Sequence, residues 1–138
     1  MQKAMTMRIT QITIVVKDQA ASLEFFTSKV GFEKKTDVTP PGSYRWVTVG
    51  PKGQDLELAL WQSGSPDPNG WSKDWKPGGP PMVLWVDDCR KAFAEMKAKG
   101  VRFVQEPYEV PWGTSATFAD PDGNMFSLHQ PPSNTGRS

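Results

Sequence analysis

The chain has 138 residues and a formal net charge of +1, with its lysines and arginines spread along the sequence. A charge this close to neutral argues against nucleic acid or an anionic membrane surface as partner. No apolar run approaches the roughly 18 residues that cross a bilayer. The only cysteine, Cys89, excludes an intrachain disulfide. Because no signal-peptide segment is recognisable either, the composition predicts a single cytoplasmic domain.

Short segments recur along the chain at a nearly constant spacing, which predicts two similar halves. The residues at 16–18 (VKD) return at 86–88 (VDD), and those at 51–53 (PKG) return at 121–123 (PDG), each 70 positions later. Spacing conserved across several landmarks in the same order is typical of an internal repeat. Each half then holds one copy of the same supersecondary unit.

The first half, 8–62, opens with a strand at 8–16, where β-branched side chains dominate. Asp18 is suited to cap the helix that follows, and Gly31 to end it in a left-handed conformation. The spacing of Leu23, Phe26 and Val30 predicts the buried helix face. Three further strands are predicted at 33–38, 44–49 and 55–61.

The second half, 80–130, repeats this order. A strand at 82–86 precedes a helix that Asp87 or Asp88 caps and that Gly100 ends. The predicted apolar face of this helix is Cys89, Phe93 and Met96. The remaining strands are predicted at 101–105, 114–119 and 124–130, with a hairpin turn at 120–124. The segment 63–79, rich in Pro, Gly and Ser, is predicted as a linker, and 131–138 as a flexible tail.

Two βαβββ modules of this size resemble the vicinal oxygen chelate superfamily, which includes glyoxalase I, bleomycin-resistance proteins and extradiol dioxygenases. The residues that carry the resemblance most clearly are 12–33 (ITIVVKDQAASLEFFTSKVGFE) and 116–131 (ATFADPDGNMFSLHQP). The resemblance implies an α+β fold in which both modules form an open, curved, barrel-like sheet with a ligand on its concave side. It also implies a homodimer whose cavities are completed by both chains.

Enzymes of that superfamily hold a divalent metal through two side chains from each half. The matching positions here are Gln11, Glu57, Pro81 and Ser127. Proline offers no donor, a neutral hydroxyl is a weak ligand, and a catalytic zinc site needs about three protein ligands. We therefore expect no metal and no other cofactor.

His129, the only histidine, lies two residues beyond Ser127 and so on the same face of its strand. The alternative to a metal-free protein is a displaced metal site made of Gln11, Glu57 and His129. The competing interpretation is a histidine that hydrogen-bonds to solvent or to the backbone.

Glu57 alternates with apolar Leu56 and Leu58, which predicts that it faces the cavity. A carboxylate there needs a partner. Without a metal, that partner could be Gln11, a cationic group of the ligand, a neighbouring Arg or Lys such as Arg45, or solvent. A further alternative is a catalytic role as general base.

Tryptophans are unusually frequent, with six in the chain. Alternation places Trp61 and Trp85 on the cavity side, while Trp71 and Trp75 lie in the linker and Trp112 in a loop. Such aromatic groups suit either a ligand pocket or a dimer interface, and both interpretations remain open.

The leading prediction is metal-independent binding or sequestration of an aromatic or cationic organic ligand, as in the antibiotic-binding members of the superfamily. The alternative is an enzyme, a metal-dependent lyase, isomerase or dioxygenase that uses Gln11 and Glu57. A third interpretation is an interaction dimer without a ligand. The predicted ligand-binding residues are Gln11, Glu57, Trp61, Trp71, Trp75, Trp85, Trp112, Ser127 and His129.

Overall fold

A computed structural model describes residues 5–79 and 81–132. Its internal contacts divide the chain into two compact units, Met1–Pro68 and Asn69–Ser138, and the division falls within the predicted linker. Most of the predicted flexible tail, 133–138, lies outside the described residues, as does Pro80 at the start of the second half.

The first unit is a four-stranded sheet with one helix. In chain order its elements are β1 (Gln11–Val16), α1 (Gln19–Glu24), a π-helical segment (Phe25–Val30), β2 (Glu33–Val38), β3 (Trp46–Gly50) and β4 (Glu57–Gln62). The strands lie in the order β1-β4-β3-β2. The β1–β4 pair is parallel and the other pairs are antiparallel.

The second unit repeats this arrangement. Its elements are β5 (Met82–Trp85), α2 (Cys89–Ala98), β6 (Arg102–Val110), β7 (Gly113–Ala119) and β8 (Met125–Gln130). The strand order is β5-β8-β7-β6, again with one parallel pair, β5–β8. The predicted α+β fold of two βαβββ modules is therefore confirmed, and neither four-stranded sheet closes on itself.

Each helix covers one face of its own sheet, because apolar side chains alternate along the strands. In the first unit, Ile14, Val49 and Leu60 are almost fully buried on the helix side together with Phe26. In the second unit, Phe118, Phe126 and Leu128 are buried on the helix side with Cys89 and Met96. The opposite face of each sheet, which we call the helix-free face, carries the intervening residues.

A glutamine at the end of the last strand anchors the start of the helix in both units. The Gln62 side chain accepts a hydrogen bond from the backbone N–H of Gln19 at 2.8 Å. The Gln130 side chain accepts one from the Cys89 amide at 2.9 Å. The first N–H groups of a helix have no partner within the helix, so these side chains satisfy them from the sheet.

The buried face of the first helix differs from the predicted one. The structure buries Gln19, Ser22, Phe25 and Phe26, whereas Leu23 and Val30 of the predicted face are only partly buried. Two of the buried residues are polar, so a search for apolar periodicity passes over them. In addition, π-helical hydrogen bonds span five residues rather than four, and the period of 3.6 no longer applies after Glu24.

The strand predicted at 101–105 is also wrong in length, since β6 continues to Val110. Pro107 is an unfavourable residue within a strand, because proline cannot donate to a strand ladder. However, β6 lies at the edge of its sheet, and its pairing with β7 shifts register between Gln105 and Tyr108. Edge strands and bulges are the places where a sheet tolerates proline.

Candidate functional site

The helix-free face of the first sheet brings together three predicted ligand-binding residues. Gln11 pairs with Glu57 across the parallel β1–β4 ladder, and Val15 pairs with Trp61. Glu57 and Trp61 are four residues apart on one strand, so they share this face at a separation of about 13 Å. Gln11 is exposed, whereas Glu57 and Trp61 are partly buried.

Glu57 is held by a threonine that the sequence analysis did not single out. The hydroxyl of Thr48, a fully buried residue of β3, donates a short hydrogen bond to Glu57 Oε1. Thr48, and not Gln11, therefore meets the carboxylate. The alternative in which Arg45 is the partner is not observed, because the guanidinium of Arg45 instead binds both oxygens of Asp37 at 2.8 Å. The Arg45 contact holds the pKa of Asp37 well below its usual range.

A groove of about 610 Å³ opens at the end of β1 and β4 beside Glu57. This volume lies within the range of small-molecule pockets, about 300–1,000 Å³. The residues that line the groove are Arg8, Ile9, Thr10, Gln54, Asp55, Leu56 and Glu57. It thus presents two carboxylates and one guanidinium next to apolar surface.

Trp61 stands against a second aromatic ring. Its indole meets Tyr44 edge to face, with 5.2 Å between ring centroids. Edge-to-face pairs of this kind stabilise a fixed ring orientation. Trp61 is therefore a held aromatic group at the other end of this face from Glu57.

The helix-free face of the second sheet carries the other cluster of predicted residues. Trp85 on β5 pairs with His129 on β8, and their ring centroids lie 5.9 Å apart. The Trp85 side chain is 46% exposed. Ser127 lies two residues before His129 on β8, where its hydroxyl shares a 3.0 Å hydrogen bond with the hydroxyl of Thr117.

Both ring nitrogens of His129 are engaged. Nε2 lies 3.0 Å from the Trp112 carbonyl oxygen, and Nδ1 lies 2.7 Å from the hydroxyl of Ser115. A carbonyl only accepts, so in the neutral ring Nε2 carries the proton and Nδ1 accepts from Ser115. The bond to the Trp112 carbonyl agrees with the interpretation in which His129 hydrogen-bonds to the backbone.

The turn between β6 and β7 is packed closely onto the end of β8. Gly113 has a φ of 140°, and a Cβ placed there would overlap the carbonyl oxygen of Gln130. Together with the bond from His129, this contact fixes the backbone on either side of the turn. The Trp112 indole, 65% exposed, is presented on that fixed backbone.

The two linker tryptophans lie elsewhere in the second unit. Trp75 donates from Nε1 to the side chain of Asn124 at 3.3 Å, beside the turn that joins β7 and β8. Asn124 and His129 are five residues apart, about 17 Å along the chain. Trp75 is therefore placed beside the turn and away from the Trp85–His129 pair, while Trp71 is 43% exposed.

The donors at the four superfamily metal positions do not match a zinc-type site. Pro81 has no donor, and the hydroxyl of Ser127 is shared with Thr117. His129, the substitute donor, has both nitrogens occupied within its own unit. Among residues 5–79 and 81–132, no group of three or more His, Cys, Asp or Glu side chains is arranged to hold a metal ion.

Three hydroxyl residues of the two faces were missed by the sequence analysis, namely Thr48, Ser115 and Thr117. Each is a polar residue within a strand, at a position that alternation could have assigned to the helix-free face. Their partners could not have been assigned, because these depend on strand register. The roles of the predicted site residues in ligand binding stay predictions.

Within the described residues, no helix is both long and apolar enough to cross a membrane.

The family model of the Glyoxalase/Bleomycin resistance protein/Dioxygenase superfamily matches residues 8–128. The uncharacterized protein YurT of Bacillus subtilis (strain 168) is 39% identical over 127 residues, which are 90% of this chain and 99% of YurT.

Among solved structures, TnmS3, an antibiotic binding protein from Streptomyces sp. CB03234, is 31% identical with a TM-score of 0.78, covering 94% of this chain and 100% of TnmS3. UcmS2 is 38% identical with a TM-score of 0.78, covering 91% of this chain and 98% of UcmS2. The repeated βαβββ units, the family match and these similarities agree. The chain belongs to the Glyoxalase/Bleomycin resistance protein/Dioxygenase superfamily.

Proposed function

We propose that this protein binds a small organic molecule of aromatic or cationic character and does so without a metal ion. The observation that carries the proposal is Trp85, which is 46% exposed although it lies at the end of the edge strand β5 rather than in a loop. The similarity to TnmS3, an antibiotic binding protein, supports an antibiotic-like ligand.

Trp85 is suited to receive a flat ring. The ring of His129 packs beside the Trp85 indole, and two hydrogen bonds set the orientation of the His129 ring. A held indole offers a large contact area at little cost in side-chain entropy, and its ring face attracts both aromatic rings and cations. Stacking on Trp85 is therefore the first contact that we assign to the ligand.

The first unit supports the cationic part of the proposal. The Glu57 carboxylate has one oxygen bound to Thr48, and with Asp55 it lines the groove of about 610 Å³. The groove sets two carboxylates against the single guanidinium of Arg8, and this excess of negative charge favours a partner that carries positive charge. An amine or guanidine on a molecule bound in this groove would meet the requirement.

Fluorescence titration with antibiotics that contain planar ring systems, some neutral and some cationic, tests the proposal. We expect at least one to quench tryptophan emission at micromolar concentration. Trp85→Ala should raise its Kd by about three- to tenfold, since an aromatic pair contributes about 0.5–1.5 kcal/mol. Trp85→Phe, which keeps a ring, serves as the matched control and should lose less. If no member of the panel perturbs the emission, the proposal is wrong.

Elemental mass spectrometry tests the metal-independent part. The protein is purified without chelator and measured before and after incubation with Ni²⁺, Zn²⁺, Mn²⁺ and Fe²⁺. We expect no retained ion, because the donor set at the four matching positions is incomplete. About one ion per chain that is lost in Glu57→Gln would instead favour the metal-dependent lyase, isomerase or dioxygenase alternative.

A further inference from the structure

Ser115 and His129 form a hydrogen-bonded pair on the helix-free face of the second sheet. Ser115 lies on β7, directly opposite His129 on β8, and its hydroxyl is 2.7 Å from Nδ1. Both residues are partly buried, so neither is sealed off from solvent. This pair is not needed to hold the sheet, whose backbone ladder is complete at these positions.

The direction of the proton in this pair is set by a third group. The Trp112 carbonyl accepts from Nε2, which keeps that nitrogen protonated and leaves Nδ1 as a base that faces the Ser115 hydroxyl. A hydroxyl, a base within hydrogen-bond reach and a group that orients the base together form the general pattern of an activated nucleophile. We infer that Ser115 is such a nucleophile and accepts acyl groups from neutral aryl esters.

The surroundings provide the other parts that acyl transfer requires. Thr117 and Ser127 share one hydrogen bond between two hydroxyls, so one hydroxyl proton remains to donate elsewhere. Thr117 is two residues from Ser115 on the same face, about 7 Å along the strand. A hydroxyl donor on the same face is the kind of group that stabilises the oxyanion of an acyl group on Ser115.

The choice of substrate class follows from the side chains on this face. Trp85 lies beside His129. An aromatic leaving group that stacks on Trp85 would therefore be close to His129, which gives it the proton. The paired positions of β5, β7 and β8 on this face carry no carboxylate and no ammonium group: Val83, Trp85, Ser115, Thr117, Ala119, Met125, Ser127 and His129. A neutral aromatic ester fits this surface better than a charged one.

The reaction proceeds in two balanced steps. In the first, Ser115 Oγ forms a bond to the ester carbonyl carbon, its proton moves to His129 Nδ1, and the bond to the aryl oxygen breaks as that proton passes to the departing phenol. In the second, water adds to the acyl-serine, His129 takes and returns a proton, and the carbon–Oγ bond breaks. The carboxylic acid leaves and the Ser115 hydroxyl is restored.

The test uses p-nitrophenyl acetate on the intact protein. We expect a stoichiometric burst of p-nitrophenolate, the mass gain of one acetyl group, and peptide mapping that assigns the group to Ser115. Ser115→Ala should abolish the burst. His129→Gln should slow it by about 10²–10⁴-fold, the usual contribution of a general base. Ser28→Ala, at an exposed serine of the first unit, should react as the wild type does.

Three results would overturn the inference: no burst, an unchanged burst in Ser115→Ala, or acetyl groups on lysines alone. Circular dichroism of Ser115→Ala checks that the variant is folded, and the smaller side chain removes only one oxygen. The outcome is independent of the proposed antibiotic binding. The fluorescence titration reports ligand affinity, whereas the burst and the acetylated peptide report the hydroxyl alone.

Discussion

His129 contacts two exposed tryptophans, Trp112 through a hydrogen bond and Trp85 through its ring. Its Nε2 holds the carbonyl of Trp112, and its ring lies 5.9 Å from that of Trp85. Because Nε2 donates to the Trp112 carbonyl, His129 also fixes the backbone that presents the Trp112 indole. In this respect it is a positioning residue for the proposed ligand site.

A double-mutant cycle between His129→Phe and Trp112→Ala tests this role. The phenylalanine keeps a planar ring but removes the donor to the Trp112 carbonyl. We expect each single change to raise the Kd of an antibiotic that binds the wild type. The double variant should lose less binding free energy than the sum of the two single losses. The coupling should be about 0.5–3 kcal/mol. Additive losses, measured by fluorescence titration, would show that His129 does not act through Trp112.

At the scale of elements, a buried amide joins the first helix to its sheet. Gln19 is 7% exposed, and its Nε2 donates to the backbone oxygens of Arg45 and Leu60, both at 2.9 Å. Each of these carbonyls would lose its partner if the amide were removed. Gln19 is therefore a structural anchor between α1, β4 and the segment before β3.

Replacing Gln19 by leucine should lower the free energy of unfolding by about 1–3 kcal/mol, because a buried carbonyl is left without a hydrogen bond. Denaturant unfolding followed by circular dichroism measures this change. Gln105→Leu, at an exposed glutamine of β6, is the matched control and should change stability little. Equal effects of the two changes would contradict the anchor role.

The pairing of Asp37 with Arg45 makes the stability of the first unit depend on pH. The contact lowers the pKa of Asp37 below its value in the unfolded chain, about 3.9. The ion pair therefore adds to the free energy of unfolding above about pH 3.9, and this addition is lost as the pH falls further. Asp37→Asn should therefore be less stable than wild type at neutral pH, with a difference that shrinks below about pH 4. Denaturant midpoints measured across this range check it. A constant difference at every pH would contradict it.

Some element boundaries were predictable from local pattern, although β1, β3 and β4 begin two or three residues later than predicted. Strand β2 has the predicted bounds of 33–38, and Asp18 and Asp88 cap the two helices. The length of β6 was not predictable, since only its place at the sheet edge explains why Pro107 does not end it.

At the scale of the whole molecule, we propose that the protein is a homodimer. Three large apolar side chains, Met5, Met7 and Ile9, are 78–80% exposed just before the edge strand β1. Covering such residues is favourable, at about 25 cal/mol for each Å² of apolar surface. A second copy of the chain would provide that cover.

Size-exclusion chromatography with light scattering should give the mass of two chains at micromolar concentration. Ile9→Lys should shift the mass toward one chain, because the lysine charge resists burial. The matched control is Val38→Lys, on the opposite edge strand β2. A single-chain mass for the wild type at all concentrations would rule out the dimer.

The sequence alone determined the repeat, the order of the elements and the sheet face on which Gln11, Glu57, Ser127 and His129 lie. These features follow from spacing, caps and the two-residue period of a strand, all of which are local.

Only the tertiary structure decided which side chains meet. Thr48 rather than Arg45 holds Glu57, and Ser115 and Trp112 hold His129. These partners are 9 to 17 residues apart in the chain. They come together only when strand register and a close turn at Gly113 place them side by side, and no local pattern encodes that register.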